Sequence, residues 1–78
     1  MKLYVGNLPY DTSEDALRNL FSRYGQVQEV WIANTRVGSP HGHAFVHMSD
    51  GSNAEYAVSK LDGMQFEGHE ITVHLARP

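Results

Sequence analysis

Cysteine is absent from this 78-residue chain. Its absence excludes disulfide bonds, thiolate catalysis and the common structural zinc sites. No apolar run approaches the roughly 20 residues that a membrane-spanning helix needs, and the first residues, MKLYVGNLPY, are too short and too turn-rich for a signal peptide. We therefore expect an intracellular protein, cytoplasmic in a bacterium and nuclear or cytoplasmic in a eukaryote, with no membrane partner.

Basic residues are also scarce. Six Lys and Arg face nine Asp and Glu, which gives a net charge of −3 with histidine neutral. Many nucleic-acid binders are basic, so the total charge argues mildly against that class. Protonation of all five histidines would add five charges to −3 and give +2. Of the predicted strands, only those holding Glu29 and Glu70 contribute carboxylates, because the other acidic residues considered fall in or beside predicted helices.

The length and composition fit one small globular domain spanning residues 1–78. The hydrophobic fraction of 41% is too high for a disordered segment. No repeat, linker or low-complexity tract interrupts the chain. A domain of this size buries a smaller share of its surface than a larger one does, so most of its apolar residues must serve the core.

The first half of the chain predicts a strand, a helix and a second strand. In the strand at residues 2–6, Leu3 and Val5 alternate with Tyr4 and Gly6. The helix follows, with Thr12 as its expected N-cap. Glycine at position 25 is expected to stop it in the left-handed conformation. The second strand covers residues 27–33. The helix has its apolar face at Leu17, Leu20, Phe21 and Tyr24.

The second half repeats the pattern after a loop at residues 34–40. A strand at 42–48 is followed by a helix with Ser52 as its expected N-cap and Asp62-Gly63 at its end. Residues 65–69 predict a short hairpin, and 70–76 the last strand. The second helix has its apolar face at Ala54, Ala57, Val58 and Leu61.

The predicted order, β-α-β-β-α-β, favours an α+β, ferredoxin-like fold. Each helix has one apolar stripe, so both helices should pack on one face of a four-stranded antiparallel sheet. The other face should then be polar. It would instead carry Tyr4, Trp31 and Phe45. An exposed aromatic cluster usually marks a binding surface, although Trp31 could equally well pack at the sheet edge.

Two segments resemble the signatures of the RNA recognition motif family. Residues 3–8, LYVGNL, resemble its first-strand signature, RNP2. Residues 41–48, HGHAFVHM, resemble the partner signature RNP1, whose pattern is K/R-G-F/Y-G/A-F-V-x-F/Y. Histidines at 41 and 43 and Met48 depart from that pattern. The first helix and the end of the chain also look like the family, so the resemblance covers nearly all of the sequence.

The resemblance implies a monomer that binds single-stranded RNA, with single-stranded DNA as a second ligand. It also implies a protein that is not an enzyme and needs no cofactor or metal. Bases would stack on Tyr4 and Phe45, and on His43 where the family usually has a third aromatic. Each stack contributes about 1–3 kcal/mol. The predicted RNA-binding residues are Lys2, Tyr4, Asn7, Trp31, Arg36, His41, His43, Phe45, His74, Ala76 and Arg77.

We expect modest affinity because cations are few. His41 stands where the family has a Lys or Arg that pairs with phosphate, and the preceding loop keeps only Arg36. Fewer cations displace fewer counterions, so binding is weaker and less salt-dependent. Histidine has an unperturbed pKa of about 6.5. If the strand histidines at 41, 43, 47 and 74 face outward, RNA affinity should rise as pH falls.

Three other functions have partial support in the sequence. A metal site at His41, His43 and His47 lacks a cysteine or a nearby strand carboxylate to complete a tetrahedral set. Residues 25–33 look a little like the phosphate loop of acylphosphatases, but Glu29 and Ala33 replace the glycine and arginine of that family. The stretch also follows the first helix instead of preceding it. The remaining alternative is a protein-interaction module that uses the same aromatic sheet face.

Overall fold

The computed structural model describes residues 1–33 and 41–76, with the side chain of His41 excluded. The two helices and six strands follow one another in the predicted order, with the hairpin before the last strand. They are β1 (Lys2–Pro9), α1 (Glu14–Ser22), β2 (Val27–Ala33), β3 (His41–Met48), α2 (Gly51–Leu61), β4 (Gln65–Phe66), β5 (His69–Glu70) and β6 (Thr72–Leu75).

Four of the strands form one antiparallel sheet in the order β2-β3-β1-β6. The strands that carry the two signature segments, β1 and β3, are therefore the central neighbours. Strands β4 and β5 form a separate two-stranded hairpin. Both helices pack against the sheet, α1 along β2 and α2 chiefly along β6. The predicted ferredoxin-like fold is confirmed.

The core lies between the sheet and the helices, and the strand alternation explains which residues enter it. Leu3 and Val5 of β1 and the even positions of β3 are buried, while Tyr4 and the odd positions 43–47 of β3 face the other side of the sheet. Leu8 is also buried, beyond the register shift that follows Val5. Both helices contribute the predicted apolar stripe, except that Tyr24 and Val58 are only partly buried. The residues with no exposed surface include Leu3, Val5, Leu17, Phe21, Ala44, Val46, Met48, Ala54, Ala57, Leu61 and Val73.

Both predicted N-caps are wrong by one or two residues. Helix α1 is capped by Ser13, whose Oγ accepts the N–H of Ala16 at 3.0 Å. Thr12 is buried instead, and its hydroxyl donates to Oε1 of Glu67 at 3.0 Å. Glu67 lies in the turn between β4 and β5. Because the Thr12 hydroxyl is hydrogen-bonded to Glu67, the next residue, Ser13, caps the helix.

Helix α2 is capped by Asp50 and not by Ser52. The Asp50 carboxylate accepts the backbone N–H groups of Ser52 at 2.8 Å and Asn53 at 3.3 Å. One carboxylate oxygen therefore satisfies two of the N–H groups that a helix leaves without partners at its start. At the other end, Gly63 follows the C-cap with φ at 83°, so the predicted closure at Asp62-Gly63 is confirmed.

The role predicted for Gly25 is also wrong. Helix α1 ends at Ser22, and its C-cap, Arg23, keeps a right-handed conformation. Glycine 25 is nearly extended, with φ at 159°. A Cβ at this position would lie 2.6 Å from Cβ of Asn53, in the first turn of α2. Glycine is therefore needed here for close approach between two segments and not for helix termination.

Candidate nucleic-acid interface

One row of rings crosses all four strands on the solvent face of the sheet. In the strand register, Trp31 of β2 pairs with Phe45 of β3, Phe45 pairs with Tyr4 of β1, and Tyr4 pairs with His74 of β6. We call these four residues the ring row. It extends across the width of the sheet, so several unstacked bases could lie along it.

Tyr4 is at the centre of this arrangement and is partly buried by other rings. Its centroid lies 4.8 Å from that of His74, with the planes inclined by 26°. His43 is also stacked, at 5.9 Å and 29°. Phe45 meets Tyr4 edge-on, at 5.8 Å and 67°. Such offset and edge-to-face pairs are the favoured aromatic geometries, so contacts with these rings favour the observed orientation of the Tyr4 ring before any ligand arrives.

Gly6 makes room for the Tyr4 ring. A Cβ on Gly6 would lie 2.8 Å from both Cε2 and Oη of Tyr4, which is closer than real Cβ contacts come. The ring therefore lies along β1, over the backbone of Gly6. Sequence reasoning did not identify this residue as part of the site. The spacing in the sequence could have identified it, since Gly6 follows Tyr4 by two positions and so faces the same side of the strand.

A second row, which we call the charged row, lies beside the ring row. Lys2 of β1 pairs with His47 of β3, and His47 pairs with Glu29 of β2. The Nζ atom of Lys2 lies 5.3 Å from the Trp31 ring centre and 5.7 Å from that of Phe45. The predicted site residue Lys2 is therefore held at the aromatic surface. Trp31 retains 43% exposure, so much of its indole remains accessible.

Asn7 serves a structural purpose that the sequence did not reveal. Its Nδ2 donates to the backbone oxygen of Glu70 at 2.7 Å. Nδ1 of His69 lies 3.1 Å from the backbone carbonyl oxygen of Asn7. A carbonyl only accepts, so that ring nitrogen must donate. Asn7 also adopts a positive φ of 59°. It fastens the β4–β5 hairpin to β1, and its contact with RNA stays a prediction.

We expect Asn7→Ala to lower the free energy of unfolding by about 2 kcal/mol, combining the cost of alanine in the left-handed region with one lost hydrogen bond. Asn7→Gly should cost less, because glycine adopts a positive φ freely and only the hydrogen bond is lost. Urea unfolding of both variants measures the difference. Equal destabilisation by the two substitutions would contradict the backbone part of this explanation.

The other predicted site residues are placed as follows. His74 is exposed on β6, with Nδ1 3.3 Å from the oxygen of Leu75. The N–H of Ala76 donates to the oxygen of Lys2 at 2.9 Å, so this group is used within the protein. Arg36, Arg77 and the side chain of His41 lie outside the described residues.

Within residues 1–33 and 41–76, no three histidine, cysteine or carboxylate side chains come together as a metal ion would require. The metal site considered at His41 also involves a side chain outside that range. In the same part of the chain, no helix has the length and apolar character to cross a membrane.

Comparisons with known proteins agree with this geometry. "Putative RNA-binding protein RbpA" from Nostoc sp. is 37% identical over 79 residues, covering 100% of this chain and 78% of that protein. Human serine/arginine-rich splicing factor 8 is 41% identical over 76 residues, covering 96% of this chain and 27% of that protein. The RRM domain of S. pombe Puf1 superposes with a TM-score of 0.80 and 39% identity, covering 100% of both chains.

The family profile described as RNA recognition motif matches residues 3–72, which include both signature strands and both helices. The solvent face of the observed sheet carries Tyr4 and Phe45, one from each signature. This chain therefore belongs to the RNA recognition motif family.

Proposed function

We propose that this protein binds single-stranded RNA on the solvent face of its sheet by stacking bases on Tyr4 and Phe45. The observation that most supports this is the ring row, in which the two side chains are paired in register and oriented by their neighbours. RNA sequence is read mostly on unstacked bases that lie on aromatic side chains. His43, stacked beside Tyr4, extends the same surface as a smaller third platform.

The binding mode depends more on stacking than on charge. Of the described basic side chains, Lys2 lies at the ring row, whereas Arg18 donates to the oxygen of Val27 at 3.2 Å. Lys60 lies 5.6 Å from the ring of Tyr56 on α2, in the helical layer. Within residues 1–33 and 41–76 few cations face the sheet surface, so modest affinity and a shallow salt dependence are expected.

The fluorescence of Trp31 tests the proposal directly. It is the only tryptophan in the chain, belongs to the ring row and is 43% exposed. Titration at low salt with a randomised single-stranded RNA pool should change its emission in a saturable way. Amide NMR shifts should move on β1 and β3 more than on the helices. An unchanged emission together with unmoved sheet amides would contradict RNA binding here.

The same titration separates the alternatives. A protein-interaction module would leave the sheet unaffected by RNA, and alanine at Tyr4 and Phe45 would instead abolish binding to a protein partner. Single-stranded DNA of matched sequence tests the second ligand. Stacking is available to both nucleic acids, and the RNA 2′-hydroxyl is the group that a protein can use to distinguish them.

RNA affinity is expected to be severalfold higher at pH 5.5 than at pH 8. The histidines His43, His47 and His74 lie on the sheet face, near Lys2 and Glu29. A protonated imidazole attracts phosphate, so the RNA-bound state takes up protons and binding strengthens as pH falls. Anisotropy titrations at the two pH values measure this. Replacing His43 and His74 with Gln should weaken the dependence, and equal wild-type affinities would refute it.

A further inference from the structure

Glu29 occupies an unusual place for an acidic residue on a surface proposed to bind a polyanion. It is exposed on β2, two residues before Trp31, and its register partner is His47. Residues two apart on a strand share a face and are separated by about 7 Å. A base stacked on Trp31 would therefore extend one edge toward the Glu29 carboxylate.

The chemistry of a carboxylate restricts which base edge it can accept. An ionised carboxylate is an acceptor only, with two oxygens side by side. Guanine presents two adjacent donors, N1–H and the N2 amino group. Uracil presents one N–H between two carbonyl oxygens, which a carboxylate would repel. Cytosine and adenine each offer one amino group beside an acceptor nitrogen, so neither can satisfy both carboxylate oxygens.

Lys2 completes the pattern. Its ammonium is a donor only, and it approaches the Trp31 ring from β1, at the far end of the charged row from Glu29. Beside its two donors guanine carries O6, an acceptor that an ammonium can approach. The charged row thus offers an acceptor at one end and a donor at the other, in the order that a guanine edge requires.

We propose that Glu29 makes this protein select guanine at the position of the base that stacks on Trp31. The proposal rests on the proposed RNA binding, which it makes more specific. The Glu29 carboxylate repels phosphate, and its paired contact to the guanine N1–H and N2 amino group offsets that repulsion. It acts as a specificity-determining residue, while the stacking rings supply most of the affinity.

The test uses four fluorescein-labelled heptanucleotides of uridine that carry G, A, C or U at the central position. We expect the wild-type chain to bind the G-containing RNA about tenfold more tightly than the all-uridine RNA, as one good bidentate contact allows. In Glu29→Gln the preference should fall to about twofold, because an amide keeps only one acceptor oxygen. Anisotropy at low salt and neutral pH gives the four dissociation constants.

Glu55→Gln is the matched control. It changes the net charge by the same amount, but Glu55 is exposed on α2, in the helical layer and away from the solvent face of the sheet. The guanine preference should survive in this variant. Thermal unfolding followed by circular dichroism verifies that both variants keep the fold, which is expected because both carboxylates are exposed.

The outcomes separate this inference from the proposed function. Equal wild-type affinity for all four oligonucleotides would overturn the inference and leave RNA binding standing. A uniform gain of affinity in Glu29→Gln would do the same, because Glu29 would then act only by repelling phosphate. A preference for adenine or cytosine that depends on Glu29 would overturn the assignment to guanine. Absence of saturable binding to every oligonucleotide would instead refute the proposed function itself.

Discussion

Replacement of both Tyr4 and Phe45 by alanine is expected to weaken RNA binding by about a hundredfold or more. Each stacked base contributes about 1–3 kcal/mol, and 1.4 kcal/mol corresponds to a tenfold change in affinity. Each single alanine substitution should therefore cost roughly tenfold. Fluorescence anisotropy with a short labelled RNA measures the three variants against the wild type.

The substitutions should leave the fold intact. Both rings lie on the solvent face, and the side chains that alternate with them, Leu3, Val5, Ala44 and Val46, fill the core on the opposite face. Tyr56→Ala is the matched control, since Tyr56 is 53% exposed and lies on α2. It removes an equally large aromatic surface from the helical layer and should not change RNA affinity. Comparable losses in the control and the double variant would contradict stacking on the ring row.

The hundredfold value assumes that the two single losses add, and coupling between the rings is expected to shift the double variant from it. The Tyr4 and Phe45 rings touch edge to face at 5.8 Å, so removal of one changes the environment of the other. Residues in contact commonly show coupling energies of about 0.5–3 kcal/mol in double-mutant cycles. Conservative exchanges that keep a ring, Tyr4→Phe and Phe45→Tyr, should retain most of the affinity. A loss in these variants as large as in the alanine variants would mean that stacking is not what the rings supply.

Strand alternation predicted most of this surface from the sequence. It placed Tyr4, Trp31 and Phe45 on one face without any structural information, because successive side chains of a strand point to opposite faces. The register between neighbouring strands, in contrast, could not be predicted from the alternation. The β2–β3 pairing shifts between Val27 and Glu29, directly before the pair of Glu29 with His47, and the sequence contains no pattern that predicts such a shift. The alignment of the ring row and the charged row could therefore not be predicted.

Two residues have structural roles that depend on distant partners. Thr12 and Ser13 are both acceptable N-caps, and a contact between Thr12 and Glu67, 55 positions away, decides between them. Asn7 belongs to a family signature, yet its amide group binds the backbone of Glu70 across 63 positions. Local patterns carry no information about such long-range hydrogen bonds.

Gly6→Val is expected to weaken RNA binding by up to about tenfold, nearly as much as the loss of the Tyr4 ring. Even a single Cβ at this position would lie 2.8 Å from Cε2 and Oη of Tyr4. These atoms are at the far end of a movable side chain, so the ring can swing away at little cost to folding. Valine also suits an extended strand. Stability should therefore change much less than affinity, as thermal unfolding alongside anisotropy would show.

A double-mutant cycle with Tyr4→Ala determines whether Gly6 acts through the ring. If Gly6 serves only to let Tyr4 lie along β1, valine at position 6 should have no further effect once the ring is gone. The coupling energy would then nearly equal the loss caused by Gly6→Val alone. If the two losses add instead, the new methyl groups must obstruct RNA directly, and the Tyr4 ring would not depend on Gly6 for its position. Wild-type affinity in Gly6→Val would show that the ring can stack in a second orientation, which would remove the role assigned to this glycine.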